Sequence, residues 1–168
     1  KTPVREALVA LSKAGLVDSV SRRWYVRHLD VTDAREIYQL QLLIEPTALR
    51  EGARFLTADD LANLRAILGE ARRAIDARNL LAVSAANGRF HTALISRCPN
   101  KRMVEFLVQL RAQLAAVALN TWGTQPTYIP EAAQHESIVA ALEKGDVELA
   151  VQNLRQHILD GQRDRGTC

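Results

Sequence analysis

The sequence predicts an all-α protein, an antiparallel helical bundle preceded by one short helix and a hairpin. Three observations carry this reading. From Asp30 onward apolar residues recur at three- and four-residue spacing, and no alternating strand pattern appears. Helix-start signals, such as Thr57 with Asp60 in capping-box spacing, separate those stretches. Strand signals are confined to residues 17–26. A chain of 168 residues can bury one good core with a second small unit beside it.

The opening "KTPVREALVALSKAGLV" places Thr2 as N-cap and Pro3 at the first helical position, with Val4, Leu8, Leu11 and Leu16 in helical spacing. Gly15 is its stop. In "VDSVSRRWYVRHL", Val17, Val20, Trp24 and Val26 flank a polar Ser21-Arg22-Arg23 tip, which predicts a β-hairpin. The next helix opens at Asp30 or Thr32 and continues past Pro46, which kinks or locally adjusts it. One helix starts at Thr57. Others are expected over about 79–96, 100–122, 129–144 and 146–162, with "GTQPTYI" as a loop and "KGD" at 144–146 as a stop and restart.

Composition bounds the function. The chain is 48% apolar and 24% charged, an ordinary globular balance. No apolar run reaches the roughly 20 residues that span a bilayer, and no charged-then-apolar leader is present, so a cytoplasmic location without membrane contact is expected. Cys98 and Cys168 are far apart in a chain of this class and read as free thiols. The net charge is +3, but Lys1, Arg5, Lys13, Arg22, Arg23, Arg27 and His28 crowd the first stretch against Glu6 and Asp18. That end suits a polyanion, although charge alone fits a solvated surface as well.

Three of the four histidines fall on apolar helix faces. Leu80, Val83, Asn87, Phe90, His91 and Leu94 form one stripe; Ala132, His135, Ile138, Val139 and Leu142 a second; Leu149, Asn153, Leu154, His157 and Ile158 a third. One such histidine is more often a hydrogen-bonded core residue than a ligand. Three on separate helices, with Asn87 one turn before His91, match the way bundles build metal sites from inward side chains. Asn87 and His91 are separated by about 6 Å along the axis, so both can reach one ion. Such a site, neutral in its ligands, favours an anionic extra ligand such as a small carboxylate.

Two other classes compete with a sensing site. A three-histidine zinc centre can activate water, so a metal-dependent hydrolase is one alternative. Against it, Glu136 beside His135 does not make an H-E-x-x-H motif because residue 139 is Val, and helical geometry turns Glu136 about 100° away. No phosphate loop, G-x-S-x-G elbow or Cys–His pair is present. A plain helical interaction protein with structural histidines is the other alternative.

"TPVREALVALSKAGLV" followed by "SRRWYV" closely resembles the recognition helix and wing of GntR-type winged helix-turn-helix regulators. "EIYQLQLLIEP", "NGRFHTALISRCPN", "QHESIVAALEKGD" and "AVQNLRQHI" resemble the FCD effector domain of the FadR-like branch. The resemblance spans essentially the whole chain. It implies residues 1–29 as the C-terminal part of a winged helix-turn-helix domain and 30–168 as an all-helical FCD domain. The function it implies is that of a homodimeric, non-enzymatic transcriptional regulator that binds a DNA operator and senses a small molecule, often an organic acid.

By matching position, the resemblance places metal ligands at Asn87, His91, His135 and His157, with zinc the first expectation and nickel the second. It places DNA contacts at Lys1, Thr2 and Arg5, with the wing tip at Arg22 and Arg23, and effector contacts at Gln41 and Asn153. Arg5 has the chemistry for a bidentate pair with guanine, and a surface ion pair with Glu6 is its ordinary alternative. Three features depart from the family pattern. Asn87 stands where Asp is common, which weakens metal affinity; Gln41 stands where an effector-binding Arg is common; and a complete winged helix-turn-helix needs two helices before residue 1, so the chain as given should bind DNA poorly. Trp24 also replaces the usual wing glycine.

Overall fold

The computed structural model describes residues 2–165. Its elements are α1 (Thr2–Lys13), β1 (Val17–Val20), β2 (Arg23–Val26), α2 (Val31–Gly52), α3 (Ala58–Asp76), α4 (Leu80–Leu94), α5 (Lys101–Trp122), α6 (Tyr128–Glu143) and α7 (Val147–Arg165). A 3-10 turn, Ala53–Phe55, follows α2. The helices match the expected stretches to within about two or three residues, the usual uncertainty of helix ends.

Local chemistry sets the boundaries. α1 ends where Gly15 adopts φ +73, a left-handed conformation. β1 and β2 pair antiparallel from Val17 against Val26 to Val20 against Arg23. Ser21 and Arg22 join them with φ 50 and 64, the two left-handed residues of a type I′ turn, whose twist suits a two-residue hairpin. Asp30 caps α2 through a reciprocal pair with Asp33, and Thr57 caps α3 in the same way with Asp60. α2 runs through Pro46 without interruption.

The six longer helices close a ring. α2 packs on α7, α7 on α6, α6 on α3, α3 on α4, α4 on α5, and α5 returns to α2. Leu49, Leu64, Phe90, Leu94, Ile138, Leu154 and Ile158 fill its interior. Ion pairs tie the outside: Arg50 bridges α2 to Glu148 on α7, and Arg65 bridges α3 to Glu136 and Glu143 on α6. On α7, Ala150, Val151, Leu154 and Ile158 face inward, whereas Leu149, expected on that stripe, is 41% exposed because the inward face is rotated by one residue.

The small N-terminal unit touches the ring through α5, where Gln113 Nε2 donates to the Ala14 carbonyl at 3.1 Å. Leu29 leads into the main core, and Arg27 pairs with Asp33 across the connection.

At Gly52 the end of α2 lies close against the backbone of residues 97 and 98. A Cβ there would lie 2.8 Å from the Cys98 backbone nitrogen and 3.0 Å from the Arg97 carbonyl carbon. Backbone cannot yield as a flexible side chain can, so Gly52→Ala is expected to destabilise the fold by about 1–3 kcal/mol in urea denaturation. Gly69→Ala is the control: its Cβ would meet only Arg73 Nη1 at 3.6 Å, and it should stabilise by about 0.5–1 kcal/mol through helix propensity.

Candidate metal centre

The ring brings His91 from α4, His135 from α6 and His157 from α7 to one buried point, with candidate ligand atoms all within 4.8 Å of one another. Nε2 of His157 lies 3.1 Å from Nε2 of His135 and 3.3 Å from Nε2 of His91. A tetrahedral zinc with bonds of about 2.0–2.1 Å requires nitrogen–nitrogen edges of about 3.3 Å, so the imidazoles stand close to ligand spacing. Asn87, one turn before His91, holds its Oδ1 buried without a hydrogen-bond partner. An oxygen donor lacking a partner beside three imidazoles is the donor set a borderline divalent ion takes.

Neighbouring acceptors fix which ring nitrogens carry protons. Glu45 on α2 is fully buried, and its Oε1 lies 2.8 Å from His91 Nδ1. Gln134 Oε1 lies 2.9 Å from His157 Nδ1, and the Gln134 amide is oriented by donating Nε2 to Asp160 at 2.8 Å. Both contacts place Nδ1–H on the neutral rings, which leaves the Nε2 lone pairs of His91 and His157 aimed at each other. Two acceptors at that distance attract only through a cation or proton between them. Burial, then the neighbouring His157, His91 and Arg111, hold His135 well below the ordinary imidazole range, so its ring is neutral at pH 7.

Glu45 anchors the outer layer. Burial raises its carboxyl, but Arg111, His91 and a hydrogen bond from Gln41 outweigh that and hold it below the usual carboxylate range. Arg111 Nη2 donates to the same Oε1 that faces His91, at 2.8 Å, and Gln41 Nε2 donates to Oε2 at 2.7 Å. Glu45, Gln134 and Arg111 were not among the sequence candidates. Their signal was present: Glu45 follows Ile37, Tyr38 and Gln41 on the inward stripe of α2, and Arg111 lies between Leu107 and Leu114 on that of α5.

The other predicted residues are dispersed. Gln41 borders the same small cavity as Asn87, His91, Arg111 and His157. Asn153 does not border it; its Nδ2 donates to the Ser137 carbonyl at 3.3 Å and joins α7 to α6, so the structure places it apart from the cluster. Arg89 pairs with Glu70, and Arg102 with Glu105, away from the histidines. Glu136 is held by Arg65 and Arg72, turned from His135 as helical geometry requires. Arg5 is exposed on α1, and Arg22 and Arg23 are exposed at the hairpin tip. Lys1 and the Thr2 side chain, with Cys168, lie outside the described residues.

The helix-and-hairpin unit joined to a ring of six helices has the fold of the GntR type of transcriptional regulator, a class that regulates rather than catalyses. Residues 36–160 match the FCD domain, and the chain belongs to that family. Similar folds include a GntR transcriptional regulator from Rhodococcus sp. RHA1, with TM-score 0.83 and 23% identity over 96% of this chain and 78% of that one. E. coli McbR/YncC aligns with TM-score 0.82 and 21% identity over 95% and 81%. The metal-free FCD domain of TM0439 aligns with TM-score 0.64 and 17% identity over 83% and 96%. No curated protein sequence matches the chain. Among the described residues, no helix is long and apolar enough to cross a membrane.

Proposed function

We propose that this chain is a DNA-binding regulator, acting as a homodimer, whose helical domain holds a divalent transition metal and senses a small carboxylate beside it. His91, His135 and His157 would hold the ion with Asn87 as the fourth donor, zinc being the first candidate and nickel the second. The observation that carries this reading is the facing pair of Nε2 atoms on His91 and His157, each left as an acceptor by Glu45 and Gln134.

The ligand class follows from charge. A dication beside Arg111 faces two buried carboxylates, Glu45 and Glu131 on the wall of the same cavity, and still leaves a positive excess that an anion offsets. When bound, the ion supplies a Lewis-acidic contact for that anion. Gln41, on the cavity wall with Oε1 unpartnered, is the polar group placed to meet the ligand's other atoms.

For the DNA-binding half, Lys1, Thr2 and Arg5 would meet the operator from the recognition helix, with Arg22 and Arg23 at the wing tip. The contact of Gln113 on α5 with Ala14 gives the helical domain a direct hold on the end of that helix. The helix beginning at Asp30 gives a second, so a ligand that binds two arrangements unequally would shift the DNA-binding unit.

Asn87 supplies the test. Asn87→Asp adds a charged oxygen at the same length, so zinc affinity measured by competition with a chromophoric chelator is expected to rise at least about tenfold. Equal affinity of both proteins would remove residue 87 from the ligand set. Sedimentation of the same samples reads the oligomer: a monomer at all concentrations would overturn the dimer.

A further inference from the structure

Gly88 has no local reason to be glycine. It lies in the interior of α4, where its backbone is helical and needs no positive φ, and a Cβ there would meet nothing within 4 Å. Alanine is more favourable at such a position by about 0.5–1 kcal/mol, so what the residue contributes is the space beside it. That space joins two others. An inner cavity of about 30 Å³ borders His91 and His157, an outer cleft over α4 and α5 is about 780 Å³, and Gly88, Ser84, Ala115 and Arg111 line both. Three of the four are small.

The walls of the inner cavity suit a cation. Gln41 is 3% exposed with its Oε1 lacking a donor, and Asn87 Oδ1 is buried in the same condition. Arg111 brings one positive charge against two buried carboxylates: Glu45, which accepts its Nη2, and Glu131 on the cavity wall. Before an ion arrives, the balance among these described residues is therefore negative. The other space at the cluster, lined chiefly by Ile67, Leu68, Val83, Phe90 and Trp122, is apolar and offers a hydrated ion little to replace its waters.

Resting on the reading of the centre given above, we infer that the slot at Gly88, between Ser84 and Ala115, is the route by which the metal ion enters and leaves the histidine cluster. A buried ion needs such a path. The slot sets how fast the ion exchanges and not how tightly it is held, because a passage places a barrier between two end states without altering either. Zinc uptake by the metal-free protein and zinc release into a chromophoric chelator test this, with affinity taken from competition at equilibrium. Gly88→Leu is expected to slow uptake and release alike, by about tenfold or more, with the dissociation constant within about twofold of wild type. Ala115→Leu narrows the slot from the opposite wall and should act in the same way. Gly88→Ala removes the backbone freedom of glycine while filling little of the space, so its rates should stay within about threefold of wild type.

Wild-type rates in both Leu variants overturn the route, as does equal slowing by Gly88→Ala and Gly88→Leu, which would mean that opening of α4 limits exchange. Slower exchange in Gly161→Leu, with Gly88→Leu unchanged, would place the path at the end of α7, where Gly161 lines the same cavity. A Leu variant that loses affinity through release alone has disturbed the site and counts against the slot. If Gly88→Leu does not fold, Ala115→Leu decides the matter. A wild type that takes up no zinc overturns the centre itself, whereas normal affinity with unchanged rates overturns only the route, so the two failures are distinct.

Discussion

Glu45→Gln is expected to lower the free energy of unfolding at neutral pH by about 3–5 kcal/mol, the range for breaking a buried ion pair from one side. The carboxylate is fully buried and receives Arg111, His91 and Gln41. An amide of the same shape leaves the Arg111 charge uncompensated and turns an NH2 group toward either Gln41 or His91, both of which now present donors to Glu45. Metal affinity should fall about 10–100-fold because His91 loses the acceptor that fixes its tautomer. Urea denaturation and chelator competition read the two effects separately.

The same carboxylate sets an acid limit. Its folded pKa is depressed from 4.5, so its contribution is complete above that value and is lost as pH falls below it toward the folded pKa. Glu45→Gln should therefore show a shallower loss of stability over that acid range than the wild type. A variant within about 1 kcal/mol of wild type at neutral pH would contradict the role assigned to this residue.

Phe90→Ala is expected to cost about 3–5 kcal/mol, as for other large aromatic truncations in a close-packed core. Phe90 is 1% exposed, and its ring centroid lies 4.3 Å from that of His135 and 5.4 Å from that of His91. It therefore fills the core and forms a wall of the metal centre at once. Zinc affinity should fall along with stability, since His135 loses the surface that holds its ring; Phe90→Leu should retain most of both. A loss of stability with unchanged zinc affinity would mean that α6 alone positions His135.

The sequence was most informative where the chemistry is local. The Asp30–Asp33 and Thr57–Asp60 caps lie within four residues, as does the Ser21-Arg22 turn, and each set an element boundary that appears in the fold. The inward histidines were legible because helical periodicity assigns a face without knowledge of the partner. What lay beyond reach was adjacency. Glu45 meets His91 across 46 positions and Arg111 across 66, and no periodicity reveals which helices are neighbours in the ring. Asn153 illustrates the converse: one turn before His157, it shares that histidine's general side, yet the packing of α7 on α6 directs its amide to Ser137.

Metal content per chain in the wild type, His91→Ala and His157→Ala, measured in protein purified without added metal or a metal-binding tag, decides whether the three histidines hold an ion. About one ion per wild-type chain and none in either variant is expected. A wild type that takes up no ion even after incubation with zinc or nickel, or variants that retain it fully, would mean that the histidine cluster is not a metal centre.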